Sequence, residues 1–153
     1  MSVRLQSEDF DIAVETRLLT AGRTDVGAVV SFTGICRAGP DGERISAMTL
    51  DHYPAMAQAE LERIEAQARA RWPLQGSVII HRHGRLVPGD NIVLVVTLSA
   101  HRQAAFEAAE FLMDYLKSQA PFWKKEEREQ GSAWVAAKAE DEKSLERWSP
   151  KPG

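Results

Sequence analysis

The feature that most constrains this fold is the longest apolar run in the chain, IVLVVTL, from Ile92 to Leu98. Such a run is far too short to cross a bilayer. A short segment rich in β-branched residues is typical of a strand buried on both faces, and such a strand lies in the middle of a sheet. The residues that follow, Ala100 to about Lys117, have a helical pattern that Ser99 is predicted to cap. The chain is therefore expected to fold around a central strand and the helix after it.

The rest of the chain predicts two ββα units. Gly27–Cys36 is rich in β-formers and is predicted to form a hairpin with Arg44–His52. Pro54 then begins a helix, as proline does at a first helical position. A second hairpin is predicted between Ser77–Arg82 and Ile92–Leu98, followed by the long helix. We therefore predict an α+β fold with a largely antiparallel sheet and helices packed on it.

Helical segments are also predicted near both ends of the chain. Asp9–Leu19 has Phe10, Val14 and Leu18 at helical spacing, with Asp9 as the predicted cap. After the long helix we expect an irregular basic segment and a short tail helix. No linker divides the sequence, so we predict one domain over residues 1–153, with a core of about 5–148 and a flexible tail at 149–153.

Composition excludes several classes of protein. The net charge of -3 argues against a broad nucleic-acid-binding surface, so any anion site must be a local cluster of basic residues. Cys36 is the only cysteine, which rules out a disulfide within the chain and suits a reducing compartment. The first residues lack the apolar run of a signal peptide. We expect a cytoplasmic protein with no membrane segment.

Lys117 is the first candidate site residue. At helical spacing it lies on the shoulder of the core-facing stripe, in line with Phe106 and Met113. One interpretation is a lysine whose stem covers apolar neighbours and whose charge suits a helix C-terminus. The other is a lysine that directs its ammonium group into a binding groove. The residues alone leave both open.

His101 and Arg102 stand at the start of the same helix. Cations are unfavourable there because they oppose the helix dipole. Free backbone N–H groups together with Arg102 would make a phosphate pocket, whereas the alternative is an ordinary ion pair between Arg102 and a carboxylate.

Other residues with chemical potential do not define a site by themselves. His81 and His83 would share one face of a strand, but no carboxylate cluster or second cysteine accompanies them, so no metal site is predicted. Nothing in the sequence around Cys36 would activate it as a nucleophile. The candidates for binding a small anion are the scattered basic residues Arg37, His101, Arg102, Lys117, Lys124 and Lys125.

Several strings, taken together, resemble the large, catalytic subunit of molybdopterin synthase. They are GAVVSFTGICR, LDHYPAMAQ, RWPL, SAHR with AAFEAAEFLMDYLK after it, and APFWKKE followed by GSAWV. They occur in the family's order from Gly27 to about Trp148. The resemblance implies an α/β hammerhead-type fold, a homodimer, and one small ubiquitin-like sulfur carrier bound to each copy.

The resemblance also implies a sulfurtransferase reaction. Thiocarboxylates at the Gly-Gly end of the carrier would supply two sulfurs to cyclic pyranopterin monophosphate (precursor Z), giving molybdopterin for the molybdenum cofactor. No metal and no organic cofactor is implied for this subunit.

The family's site residues transfer to particular positions. Lys117 and Lys124 take the catalytic positions. The substrate-binding positions are Ile35, Cys36, Arg37, His101, Arg102, Lys117, Lys124, Lys125 and Glu126. Near WVAAK the family usually has an arginine that reaches into the neighbouring subunit, and this chain has Lys138 there. Lysine keeps the charge but loses the bidentate geometry.

Two other functions fit the residues. One is a lysine enzyme that forms a Schiff base with another phosphorylated metabolite. The other is an adaptor that binds a flexible tail and performs no chemistry.

Overall fold

The computed structural model describes residues 2–39, 45–118, 122–128, 131–135, 145, 146 and 148. Its strands are β1 (Ser2–Gln6), β2 (Ala28–Ile35), β3 (Ile45–His52), β4 (Leu74–Arg82), β5 (Gly84–Leu86), β6 (Asn91–Ser99), β7 (Phe122–Arg128) and β8 (Gly131–Val135). Its helices are α1 (Ile12–Thr20), α2 (Pro54–Arg71) and α3 (Arg102–Ser118). The strands form two four-stranded sheets, ordered β1-β4-β6-β2 and β5-β3-β7-β8. Within the described residues, all pairings are antiparallel except β1 with β4, which confirms the predicted α+β class.

The first sheet is built around β6, which pairs with β4 on one edge and β2 on the other. Alternate residues of β6 enter two separate cores. Val93 and Val95 pack beneath α2 and α3, while Leu94, Val96 and Leu98 pack on the opposite face with Phe10. Burial on both faces explains the continuous apolar run, and the prediction of a central strand is confirmed.

Helices α2 and α3 cover one face of this sheet as their periodicity predicts. Pro54 occupies the start of α2, and Trp72 is already extended after its end. The buried stripe of α2 includes Ala57, Leu61, Ile64 and Ala68, and that of α3 includes Ala105, Ala109, Leu112 and Leu116. The predicted pairing of the second hairpin, β4 with β6, is confirmed.

The prediction of a hairpin between the strands at 27–36 and 44–52 is wrong. β2 pairs with β6, from Ala28 opposite Ser99 to Ile35 opposite Asn91. β3 lies in the second sheet, between β5 and β7. Hairpin loops usually have two to five residues, and the connection here is longer. β6 is buried on both faces, so the backbone N–H and C=O groups along both of its edges are also buried and need hydrogen-bond partners. β4 supplies them along one edge and β2 along the other.

Both predicted caps are also wrong. Ser99 is the last residue of β6, and its hydroxyl donates to the carbonyl of Pro73 at 3.0 Å. Asp11 rather than Asp9 caps α1, accepting from the N–H of Val14 at 3.1 Å.

The buried face of α1 differs from the predicted one. Val14 and Leu18 are exposed, whereas Glu15 is buried and pairs with Arg4. Arg4 belongs to β1, a strand that the sequence did not predict because SVRLQ has only two apolar residues. Helix α1 therefore contacts the sheet through Leu19, which packs on the core of Leu94 and Val96, and through the ion pair of Glu15 with Arg4.

The basic segment after α3 is regular and not irregular as predicted. Phe122–Arg128 forms β7, which pairs with β3 and β8. Trp148 packs edge-on against Trp72 and Phe111, so the end of the chain returns to α2 and α3. Pro121 and most of the predicted tail helix lie outside the described residues.

Candidate active site

Lys117 lies exposed in the last turn of α3, one residue after the buried Leu116. Leu116 shares a core cluster with Val93 near the start of β6, whereas α3 begins just beyond the end of that strand at Ser99. The helix therefore returns along β6 and brings Lys117 to the end of the sheet where β6 begins.

Three histidines lie around this end of the sheet. The rings of His52 and His83 are 4.6 Å apart between centroids and tilted by 43°. His81 is buried, and its Nδ1 lies 2.8 Å from the carbonyl oxygen of Arg82. Burial first, and then the charges of Lys117, His52 and His83, lower the pKa of His81 to about 4. Burial, followed by the nearby His83, also lowers the pKa of His52. Both imidazoles are therefore neutral at pH 7.

Lys124 lies on β7 with a buried carboxylate beside it. Its Nζ is 3.4 Å from Oε1 of Glu126, whose residue is only 6% exposed. The two residues are separated by one position on a strand, so they share a face of the second sheet. The partners of Lys124 and Glu126 on β3 are Leu50 and Met48, which belong to a small apolar core. Glu126 therefore compensates the charge of Lys124 and fixes its position.

The register of β3 and β7 connects the two lysines. β3 pairs Leu50 with Lys124 and His52 with Phe122. Residues opposite each other in a sheet share a face, so His52 and Lys124 are diagonal neighbours, roughly 7 Å apart. Because His52 also lies beside the histidine cluster near Lys117, both lysines belong to one region, where the two sheets meet.

Ile35, Cys36 and Arg37 lie at the same end of the molecule, where β2 ends. The Cys36 N–H donates to Asp90 at 2.8 Å, and the Cys36 carbonyl accepts from Gly89 at 2.7 Å. Burial first, and then the charge of Asp90, raise the pKa of the Cys36 thiol. Cys36 is thus a structural thiol, while Ile35 and Arg37 on either side are exposed.

His101 and Arg102 lie at the opposite end of the sheet. They follow the Ser99 end of β6, which pairs with the start of β2, whereas Arg37 follows the end of β2. The eight residues of β2 span roughly 25 Å at the usual rise of a strand. His101 and Arg102 are exposed, and a single chain does not bring them to the two lysines and Arg37.

Gly27 fixes the backbone beside His101. A Cβ atom on Gly27 would lie 1.9 Å from the carbonyl oxygen of Ala100, which is far inside contact distance. The Gly27 N–H donates to the carbonyl of Ser99 at 3.1 Å. A glycine is therefore required here for the loop that carries His101 and Arg102 to pack against the start of β2.

The backbone of Lys125 pairs with Thr49 and Trp134, and Lys138 lies outside the described residues.

Sequence reasoning selected the two lysines but not the histidines beside them. The signal for His81 was present in the strand pattern VIIHR, where an inward-facing position of an apolar strand holds a polar residue.

Two further observations concern metal ligands and membrane-spanning helices. No group of three His, Cys, Asp or Glu side chains suited to hold a metal ion occurs among the residues that the structure describes. In that same part of the chain, every helix is too short or too polar to span a membrane.

The fold and site define a small α+β protein with two lysines and several basic groups at the junction of two sheets. The chain belongs to the MoaE protein family, whose pattern matches residues 5–119.

Named relatives and solved structures agree with this assignment. The chain is 62% identical over 149 residues to the molybdopterin synthase catalytic subunit of Mesorhizobium japonicum, covering 96% of this chain and 92% of that protein. The molybdopterin biosynthesis MoaE protein from Burkholderia ambifaria superposes with a TM-score of 0.82 at 44% identity, covering 98% of this chain and 99% of that one. At 23% identity, a chain from the complex of subunits 1 and 2 of molybdopterin-converting factor from Helicobacter pylori shares the fold alone, with a TM-score of 0.68 over 87% of this chain and 89% of that one.

Proposed function

We propose that this chain is the catalytic subunit of a molybdopterin synthase and acts in the cytoplasm as a single-domain sulfurtransferase. It transfers sulfur from the thiocarboxylated end of a small carrier protein to precursor Z and so forms the dithiolene of molybdopterin. Membership of the MoaE family supports this function. The observation that carries it is the meeting of Lys117 and Lys124, beside Arg37, at the junction of the two sheets.

In this proposal Arg37 binds the substrate's phosphate or pterin, a role supported by its exposure at the same end of the sheet as the lysines. Ile35 is exposed there too, whereas Cys36 contributes through its backbone position, since its buried thiol is held in the protonated form. Glu126 is buried against Lys124, so its carboxylate acts on the lysine more than on the substrate. Lys125 follows Lys124 on β7 and adds positive charge to the same segment.

The assembly we propose is a homodimer that pairs β2 with its copy. β2 is an edge strand of the first sheet, and Val29, Phe32 and Ile35 are exposed on it. An exposed edge with apolar residues is a template for pairing with another strand. A two-fold axis makes such a contact isologous, so the two copies of β2 would run antiparallel.

Antiparallel pairing of this kind completes the site. It places the Ile35 end of one β2 beside the Ala28 end of the other. Arg37, Lys117 and Lys124 of one copy then lie near the partner subunit's His101 and the partner subunit's Arg102. This explains why residues that bind one small anion lie at opposite ends of a single chain. Lys138 is assigned to the neighbouring pocket by resemblance alone.

A small carrier subunit is the second partner. The Helicobacter pylori neighbour was solved as a complex of two subunits, which is the type of assembly that we propose. A Gly-Gly tail is narrow enough to enter the junction between the sheets as an extended strand.

The chemistry requires charge neutralisation and proton transfer. The thiocarboxylate sulfur attacks a side-chain carbon of the pterin, forming a carbon–sulfur bond while the cyclic phosphate opens. Water then cleaves the bond between the carrier's carbonyl carbon and the sulfur, so the carrier leaves as a carboxylate. Lys117 moves the protons, and Lys124, held by Glu126, stabilises the negative charge that develops.

The direct test is reconstitution. The chain is incubated with precursor Z and thiocarboxylated carrier, and the product is detected by its fluorescence after oxidation. Formation of molybdopterin that depends on all three components supports the proposal. A Schiff base trapped by borohydride with another phosphorylated carbonyl compound, or carrier binding without product, would instead favour the two alternatives.

A further inference from the structure

The turn between β5 and β6 consists of Val87, Pro88, Gly89 and Asp90. Gly89 has a φ of 98°, and the Asp90 N–H donates to the carbonyl of Val87 at 2.9 Å. Proline at the second position and a glycine of positive φ at the third are typical of a type II turn. The Asp90 side chain closes the turn a second time, because its Oδ2 accepts from the Val87 N–H at 2.9 Å.

This turn binds the backbone of Cys36, the first residue after β2. The Cys36 N–H donates to the carbonyl of Asp90 at 2.8 Å, and the Cys36 carbonyl accepts from the Gly89 N–H at 2.7 Å. The last regular pair of β2 with β6 is Ile35 with Asn91. The turn therefore continues the pairing beyond the end of β2 and holds Cys36 by both of its backbone polar groups.

Cys36 connects the two sheets at the candidate active site. Its backbone follows β2 of the first sheet, whereas its side chain is buried in the apolar core of the second sheet. Burial and the charge of Asp90 raise the pKa of the Cys36 thiol, and the charge of Lys124 acts in the opposite direction. The end of β2 is thus within electrostatic reach of Lys124. Because the exposed Arg37 is the next residue, the way in which the turn holds Cys36 sets the position of the Arg37 backbone.

We propose that Asp90 is a positioning residue for Arg37. Its carboxylate keeps the turn in the conformation that binds Cys36, and the bound Cys36 fixes the backbone from which the Arg37 side chain reaches the substrate. Asp90 does not touch the substrate in this role. The part played by Arg37 rests on the proposed function, whereas the effect of Asp90 on Cys36 can be measured without substrate.

Two substitutions of Asp90 isolate the hydrogen bond that closes the turn. Asp90→Ala removes the acceptor of the Val87 N–H, whereas Asp90→Asn keeps a side-chain oxygen that can accept it. Both remove the same negative charge, so a difference between the two variants does not arise from that charge. The measurement is alkylation of Cys36 by iodoacetamide in the folded protein. Cys36 is the only cysteine and is 3% exposed, so its rate of alkylation reports how often the end of β2 leaves the turn.

Cys36 is expected to be alkylated about threefold to tenfold faster in Asp90→Ala than in Asp90→Asn, the range for loss of one hydrogen bond. Asp11→Ala is the matched control. Asp11 also accepts from a backbone N–H, that of Val14 at 3.1 Å, but it caps α1, so its loss is expected to leave the rate at Cys36 unchanged. Equal rates in folded Asp90→Ala and Asp90→Asn would overturn the proposal, whatever the sulfur-transfer assay shows.

A second pair of variants covers the case in which Asp90→Ala does not fold. Gly89→Ala adds a side chain where φ is positive and where nothing lies within 4 Å of the new Cβ, so it acts through backbone strain alone. Gly22 has a φ of 71° and equally open surroundings, which makes Gly22→Ala the matched control. We expect faster alkylation of Cys36 in Gly89→Ala only. The same rate in both variants would contradict the role of the turn.

The link from Asp90 to Arg37 is tested by the affinity for precursor Z, measured by calorimetry without the carrier. Asp90→Ala is expected to weaken binding about threefold to tenfold, and Asp90→Asn to restore it. In an Arg37→Ala background Asp90→Ala should have no further effect, because the side chain through which it acts is gone. An equal loss of affinity with and without Arg37 would overturn the positioning role. Failure of the wild type to bind precursor Z would instead contradict the proposed function, and the alkylation of Cys36 would still decide whether Asp90 holds the end of β2.

Discussion

At the scale of single residues, the two site lysines differ in their surroundings. Lys124 has the buried carboxylate of Glu126 within 3.4 Å of its Nζ. Lys117 stands at the end of a helix, within electrostatic reach of the buried, neutral His81. Lys124 is therefore suited to hold a fixed positive charge, whereas Lys117 is suited to transfer protons.

Substitution of Lys117 tests whether this lysine transfers protons or only supplies charge. Lys117→Ala is expected to abolish product formation without unfolding the protein, because the side chain is exposed and lies off the core stripe of α3. Lys117→Arg keeps the charge but cannot release its proton at working pH, so we expect it to be nearly as inactive as the alanine variant. Turnover is measured in the reconstituted assay.

The arginine variant decides between two roles. Substantial turnover by Lys117→Arg would show that Lys117 only supplies charge and would make Lys124 the better candidate for proton transfer. Thermal melts of both variants are the control for folding.

At the scale of elements, the contact between α2 and β4 contains a carboxylate that is not part of the site. Glu65 is buried and accepts from the Ser77 hydroxyl at 2.9 Å. Burial raises its pKa above the usual 4.5, and the Ser77 hydrogen bond only partly offsets this. The folded state thus retains the proton to higher pH than the unfolded state. The contribution of Glu65 to stability is therefore greatest at low pH and falls as the pH rises through the folded pKa.

Glu65→Gln should remove the loss of stability that ionisation of Glu65 causes at high pH. Glutamine can still accept from Ser77 but never ionises, so we expect the free energy of unfolding at pH 8 to rise by roughly 1 kcal/mol, the scale of one buried polar group. Urea denaturation at pH 5 and pH 8 measures this, with the exposed Glu8→Gln as the control. A variant that is less stable than wild type at pH 8 would show that the Glu65 carboxylate is stabilising when ionised.

The junction of β2 with the loop before α3 offers a second test. In Gly27→Ala the new Cβ would lie 1.9 Å from the Ala100 carbonyl oxygen, so the loop that carries His101 and Arg102 must move. We expect KM for precursor Z to rise about tenfold and the free energy of unfolding to fall by roughly 1–3 kcal/mol. Binding of the carrier, measured by calorimetry, should change little.

A matched glycine controls for the added methyl group. At Gly76 a Cβ would meet Leu19 Cδ2 at an ordinary 3.6 Å, so Gly76→Ala is expected to keep its KM. Equal effects of the two substitutions would mean that Gly27 does not position the loop.

The elements that the sequence predicts are those with strong periodic patterns. β6, α2 and α3 follow directly from their apolar residues, because burial determines both pattern and place. β1 was missed, since a five-residue edge strand with only two apolar residues, Val3 and Leu5, gives too weak a pattern. The partner of β2 was mispredicted because strand pairing depends on the burial of β6, which is remote in sequence.

In the candidate site, too, only residues marked by a local sequence pattern can be predicted from the sequence. Helical spacing alone places Lys117 beside the core stripe, but the family resemblance was needed to give Lys124 a catalytic role and to select Glu126. No local pattern indicates that Arg37 and Arg102 lie at opposite ends of β2, because that placement follows from strand register. The proposed assembly rests on this placement.

At the scale of the whole molecule, the central claim is that one site is built from two copies of the chain. The partner's Arg102 would complete the pocket formed by Arg37, Lys117 and Lys124. Lys117→Ala and Arg102→Ala should each be inactive or nearly so as pure dimers, because each removes a group from every site.

Mixing the two inactive variants tests this claim most directly. In a mixed dimer, the copy with Arg102→Ala keeps its own Lys117 and receives Arg102 from its partner, so one of its two sites is intact. If equal amounts exchange freely, half of the dimers are mixed, and about one quarter of the wild-type activity is expected on simple isologous symmetry. Fluorescence of the oxidised product, measured after subunit exchange, reports it. Recovery of about one quarter would establish the shared site, whereas no recovery despite exchange shown by mass spectrometry would mean that each site lies within one chain.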